Sequence, residues 1–260
     1  MSDILTLERD GAVAIVTMNR PEALNALSPE LLDGLAAMTK ELAEDDAVRC
    51  VVITGTGRAF SAGGDVKGMA GRATTGTARP GSLRDQEETS RLLYEMPKPT
   101  IAAINGHAVG AGLSIALSAD IRIASHQAKL GTAFARVGFS GDFGGTWLLQ
   151  RLVGPSKAKE MYFLADIIGA EQALAMGLVS KVVPHDTLMD ETLALARRLA
   201  DGPTLAYGRM KQNFAFGATN TFADSLSQEA RNMEASRHTE DHKNAARAFV
   251  EKREPAFVGR

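Results

Sequence analysis

The chain has 260 residues, 45% of them hydrophobic and 23% charged, with 29 basic and 31 acidic side chains for a net charge of −2. That balance suits a soluble globular protein of one large domain, or a core with an appendage, and argues against a dedicated nucleic-acid binder. No apolar run approaches a membrane span, no basic-then-apolar leader opens the chain, and the single cysteine cannot form an internal disulfide, so a cytoplasmic setting is expected.

In chain order, Ile4 to Arg9 and Val13 to Met18 are β-prone runs around Asp10-Gly11, a hairpin signal. Ser28-Pro29-Glu30 supplies an N-cap, a proline at the first helical position and an early acid. The helix they open runs to about Ala43, with Leu31, Leu32, Leu35 and Met38 on one face. Cys50 to Thr54 is a strand in which Cys50 serves as a small buried hydrophobe. Residues 70 to 82, rich in Gly, Thr, Ala and Arg without apolar periodicity, are expected as a loop walling a pocket.

A helix then runs through Leu92 and is stopped by Pro97 and Pro99. Thr100 to Ile104 is a strand broken by Asn105-Gly106, Gly110 to Ser118 a small-residue helix, and Ile121 to Ala124 a strand. From Pro155 onward helices dominate, at Asp190 to Ala200, Thr204 to Phe214 and Phe222 to Phe249, with one last strand at Leu178 to Val183. Strands alternating with helices, then helices alone, indicate an α/β core followed by a helical region.

Three segments rich in small residues carry the chemical signal: Arg58 to Lys67, Asn105 to Gly112, and Gly138 to Trp147. Small residues let a backbone approach a ligand closely, and amides at a helix start lack internal partners. Two such amides meeting on one carbonyl oxygen make an oxyanion hole. The second segment lacks the glycine spacing of a dinucleotide fingerprint and the Gly-Lys-Ser/Thr end of a phosphate loop. No His/Cys cluster offers a metal site, and no separate cofactor is expected.

Asn19-Arg20-Pro21-Glu22-Ala23-Leu24-Asn25-Ala26-Leu27, then Ala59-Phe60-Ser61-Ala62-Gly63-Gly64-Asp65, the Asn105-Gly106 segment, and Gly144-Gly145-Thr146 follow one another in an order that resembles the enoyl-CoA hydratase/isomerase (crotonase) superfamily. The match runs from about residue 5 to the C-terminus. The resemblance implies a spiral of repeated ββα units that binds acyl-CoA, spanning about residues 1–195, with a helical region at 196–260 for oligomerisation and active-site cover. Coenzyme A would enter as part of the substrate, and the chain would assemble as a homotrimer or a dimer of trimers.

The resemblance also assigns residues. The oxyanion amides match Gly64 and Ala111. Ala23 and Leu24 match the backbone along the pantetheine path, Ala62, Gly64 and Val66 match the adenine pocket, and Lys67 matches a cation near the phosphates. Asp65 matches a structural aspartate. Hydratases of the family resemble one another in carrying two glutamates, and here those places hold Ser114 and Phe134. Neither can act as a carboxylate base.

Asp142 remains, in a Gly-Asp-x-Gly-Gly-Thr-Trp pattern similar to that of acyl-CoA isomerases, including those acting on ring epoxides. Burial beside Phe134, Phe139 and Phe143 would raise its pKa. It would either serve as acid and base or cap the helix starting near Gly144. The expected activity is a double-bond shift in an enoyl-CoA, with Gly64, Ala111 and Asp142 as the catalytic set. The alternatives are hydration of a 2-enoyl-CoA in fatty-acid or aromatic-acid degradation, and a non-catalytic acyl-CoA-binding or RNA-binding relative. His107 is expected as a turn residue, the other histidines at the surface, and Trp147 in core packing or lining the acyl tunnel.

Overall fold

A computed structural model describes residues 4–66, 68 and 82–260. Two sheets form its frame. The larger has the order β1-β2-β3-β5-β7-β10, built from β1 (Leu5–Asp10), β2 (Val13–Met18), β3 (Cys50–Gly55), β5 (Thr100–Ile104), β7 (Ile121–Ser125) and β10 (Lys181–Val183). Only the β1–β2 hairpin is antiparallel there; the turn is Gly11-Ala12, because Asp10 pairs with Val13. The smaller sheet, β4-β6-β8-β9, comes from β4 (Ala59–Ser61), β6 (His107–Val109), β8 (Lys129–Gly131) and β9 (Ile168–Gly169).

Successive strands β3 to β8 alternate between the two sheets, and each return is parallel to the strand before it. This is the spiral expected for the family. All six residues of β3 and all five of β5 are buried, which is the near-continuous apolar pattern of parallel strands covered on both faces.

One face of the large sheet is covered by α1 (Pro29–Glu44), α3 (Glu88–Glu95) and α4 (Ala111–Ser118), with the short α2 (Leu83–Gln86) packed beside α1. Ser28 Oγ accepts from the Leu31 amide and Pro29 occupies the first position of α1, so the helix starts where its sequence signals it. Its last turn is capped by Lys98, whose Nζ donates to the carbonyls of Leu42 and Asp45 at 2.8 Å each. Burial pulls the pKa of Lys98 down, and the charges of Asp45 and Asp46 oppose that shift. The α4 helix is buried on every side, so its apolar residues show no stripe.

Beyond the small sheet the chain continues through α5 (Gly145–Val153), α6 (Pro155–Leu164) and α7 (Ala170–Ala175). The opposite face of the large sheet is closed by α8 (Leu188–Ala200) through Leu188, Ala196 and Ala200. The expected division at residue 195 therefore falls inside a helix that packs on the core. After it come α9 (Thr204–Gly217), α10 (Phe222–Arg237) and α11 (Glu240–Val250). The long helix expected from Phe222 to Phe249 is broken at His238-Thr239, where Thr239 accepts from the His242 amide and caps a new helix. Phe214, Phe222 and Phe249 are 79–85% exposed on these helices. Among the described residues no helix is long and apolar enough to cross a membrane. Cys50 is wholly buried, and burial pushes its thiol pKa up to about 12.

The turn after β2 is held by one side chain. Asn25, fully buried, donates to the carbonyls of Thr56 at 2.9 Å and Ala59 at 2.7 Å, and accepts from the Arg20 amide at 2.8 Å. Its own carbonyl accepts from Ser61 Oγ at 2.8 Å. Its φ of 53° is left-handed, a conformation Asn tolerates better than most residues. Asn25→Ala leaves the Arg20 amide and the Thr56 carbonyl without this partner and the Ala59 carbonyl with Asn105 alone, and should lower stability by about 2 kcal/mol or more. Chemical denaturation followed by circular dichroism will measure the loss.

Candidate active site

Turns and strand ends bring the three small-residue segments together. Leu27 forms a parallel bridge with Gly64: its amide donates to Gly63 O at 2.8 Å and its carbonyl accepts from Asp65 N at 3.4 Å. The C=O and N–H of one trans peptide point in opposite directions. Since Gly63 O faces Leu27, the Gly64 N–H faces away from it. The same reasoning applies at the start of α4. The Gly110 carbonyl accepts from the Ser114 amide at 3.1 Å, so the Ala111 N–H points out of the helix end. Among the described residues neither amide has a protein acceptor.

Contact between these backbones depends on missing side chains. Gly63 has φ 90°, and a Cβ there would lie 2.7 Å from Val109 O and 3.6 Å from the Ala111 nitrogen. A Cβ on Gly112 would lie 2.6 Å from Ser61 O. Both are closer than a real Cβ approaches backbone, so two glycines set the separation of the segments that carry the two amides.

Ala23, Leu24, Ala62, Gly64 and Val66 fall on one continuous stretch, since the Ala62 amide donates to Leu24 O at 2.9 Å and Gly64 bridges to Leu27. Val66 is half exposed. Lys67 lies outside the described residues, as does the loop expected at 70 to 82 except for Ser82. Asp65 sits 3.7 Å from Arg20 and accepts from the Gly68 amide at 2.9 Å, contacts that suit a structural aspartate.

Ser114 is 2% exposed, on the first turn of α4 after Ala111, and Phe134 is 6% exposed in a short 3-10 turn (Phe134–Val137). A Cβ on Gly110 would lie 3.9 Å from Phe134 Cε1, so this ring adjoins the start of α4. Asp142 is partly buried, with Oδ1 shielded from solvent. Phe143 beside it is 2% exposed, but Phe139, expected in the same buried cluster, is 54% exposed.

The turn that carries Asp142 is unusual in backbone. Gly141, Phe143 and Gly144 have φ of 111°, 51° and 72°, and a phenylalanine in the left-handed region costs about 1 kcal/mol or more. Gly144 is the N-cap of α5 and no side chain caps that helix. Glu87, which the sequence did not single out, restrains the turn: its Oε1 accepts from the Phe143 amide at 3.0 Å. A cavity of about 290 Å³ opens beside this turn, lined by Glu87, Ser90, Tyr94, Phe143, Gly144 and Trp147 among others. Trp147 meets Tyr94 edge-to-face at 5.4 Å and carries the Arg151 guanidinium 3.5 Å over its ring. His107 is an exposed residue of β6 rather than of a turn.

The sequence matches known proteins over its whole length. A family model described as enoyl-CoA hydratase/isomerase fits residues 8–260. The chain is 37% identical over 263 residues to the 1,2-epoxyphenylacetyl-CoA isomerase of Escherichia coli (strain K12), covering 100% of both. It is 39% identical over 249 residues to a probable enoyl-CoA hydratase of Rhodobacter capsulatus, covering 95% of each. A putative enoyl-CoA hydratase structure from Streptomyces coelicolor A3(2) superposes with a TM-score of 0.93 at 37% identity, over 99% of this chain and 94% of that one. The chain belongs to the enoyl-CoA hydratase/isomerase family, as an acyl-CoA enzyme with the crotonase fold.

Proposed function

We propose that the enzyme shifts a double bond within an enoyl-CoA, with Asp142 as acid and base and the amides of Gly64 and Ala111 as the oxyanion hole. One observation carries the choice of reaction. The two positions where hydratases of the family carry glutamates hold Ser114 and Phe134, while a carboxylate stands on the adjoining turn at Asp142. Similarity to an epoxyphenylacetyl-CoA isomerase supports the same choice. Relatives named as hydratases are equally similar, so hydration is the competing reaction.

In the proposed mechanism the thioester oxygen takes both amides, which makes the C2 protons acidic. Asp142 removes one from a 3-enoyl group, and the negative charge spreads over a dienolate ending on that oxygen. The same carboxyl returns the proton at C4, leaving the double bond between C2 and C3. No water is consumed. Each amide donor would contribute about a hundredfold or more, because it is fixed before charge develops and pays no reorganisation in the step. Coenzyme A would run past Ala23, Leu24, Ala62, Gly64 and Val66, with Lys67 near its phosphates.

The exposed phenylalanines of α9 to α11 support assembly into a homotrimer or a dimer of trimers, since apolar side chains of that size are costly to leave in water. The lone buried thiol suits a cytoplasmic enzyme.

Asp142→Asn should abolish equilibration of a 3-enoyl-CoA with its 2-enoyl isomer, a loss of at least a thousandfold in kcat followed at the conjugated thioester absorbance. Wild-type turnover in that variant, or rapid hydration of crotonyl-CoA by the native enzyme, refutes the assignment. Glu87→Ala should lower kcat about tenfold by leaving the Phe143 amide without its acceptor. Glu87→Gln keeps an acceptor oxygen and should stay within about threefold of wild type, both measured in the same assay.

A further inference from the structure

Tyr162, on α6, is assigned no role by the reading above. Its ring lies parallel to that of Phe134, 4° apart in plane with centroids 5.8 Å apart. Phe134 in turn adjoins Gly110, so the aromatic pair reaches from α6 to the peptide that carries the Ala111 amide. The other side of the phenol supports the Asp142 turn. A Cβ on Gly141 would lie 3.0 Å from Tyr162 Cε1, and one on Gly145 would lie 2.5 Å from its hydroxyl oxygen and collide with Ser114 Oγ. Gly141 and Gly145 bracket Asp142 in sequence, so both ends of the turn rest on one side chain. The hydroxyl lies beside Ser114 Oγ, both crowding the place a Gly145 Cβ would take, and Ser114 stands one turn along α4 from Ala111.

We propose that Tyr162 is a positioning residue, which fixes the Asp142 turn against α4 and so sets the carboxylate relative to the Gly64 and Ala111 amides. The inference rests on Asp142 as acid and base. Displacement of a reacting group by about 1 Å can cost a hundredfold in rate, and this turn has three left-handed residues with little local preference for its shape. A rigid ring beneath it supplies the missing constraint. Burial, with the charge of Asp142 adding to it and Ser114 opposing it, pushes the phenol up to about 12. It therefore stays protonated at neutral pH and does not compete as a base. The geometry also gives a reason for serine at 114: its side chain is short enough to leave room for the phenol hydroxyl beside Gly145.

Tyr162→Phe keeps the ring and removes the hydroxyl. The expected result is a kcat for the double-bond shift about tenfold lower, a KM for acyl-CoA within twofold of wild type and an unchanged melting temperature. Ser114→Ala removes the same contact from the other side and should show the same split, and it carries the test if Tyr162→Phe does not fold. Wild-type kcat in these variants, or a loss that appears as a rise in KM, overturns the proposal. Asp142→Asn assayed beside them separates the two ideas. An inactive Asp142→Asn with a normal Tyr162→Phe removes only the positioning role, while an active Asp142→Asn removes the acid/base reading on which it rests.

Discussion

Two backbones pass so closely in this protein that a single added carbon would separate them. Gly63 lies against Val109 O and Gly112 against Ser61 O, each at a distance that excludes a Cβ. The contact joins the end of β4 to the end of β6 and the start of α4, and sets the segments that carry the Gly64 and Ala111 amides side by side. Because backbone makes this contact, the sequence requirement is mostly for what is absent. A larger residue at either glycine forces the strands of the small sheet apart and moves an amide.

Maintaining that contact takes a polar network, since turns of this kind bury carbonyls that no regular ladder can satisfy. Asn25 meets the need for the first segment by tying the turn after β2 to Thr56 and Ala59. Asn105 adds bonds to Gly57 O at 2.9 Å and Ala59 O at 3.1 Å. Two asparagines thus converge on the Ala59 carbonyl, one from each of the segments that meet at the site. The family motif around Asn25 therefore has a structural task at its centre, while the neighbouring Ala23 and Leu24 present the surface proposed for the coenzyme.

Much of this frame was legible in the sequence. The strands of the large sheet are apolar runs bounded by turn residues, and α1 announces itself through Ser28 and Pro29. The small sheet was not legible, for a physical reason: β4, β6 and β8 have three residues each and β9 two, too few to show alternation. The break at Thr239 was hidden by an apolar pattern that continues across it. For the proposed site, Gly64, Ala111 and Asp142 were named from the order of the family pattern. Glu87 and Tyr162 were not, because each makes its contact across the fold, 56 residues away to Phe143 and 48 to Ser114. Glu87 follows a capping box at the start of α2 and Tyr162 lies in a mixed helix whose end, at Phe163 and Leu164, is exposed. Neither setting distinguishes them from ordinary surface positions.

The arrangement explains how one scaffold can exchange its reaction without losing its chemistry of charge. The amides that would stabilise an enolate oxygen are held mainly by backbone: the glycine contacts, the first turn of α4 and the chain that Asn25 ties down. Acids and bases are then free to change position. Here the two glutamate sites have become a hydroxyl and an aromatic ring, and both touch Tyr162. The replaced positions are thus part of the platform on which the turn with Asp142 rests. A carboxylate at 114 would set a charge against the phenol of Tyr162, beside which Ser114 Oγ lies, and an unpaired charge buried there would be costly.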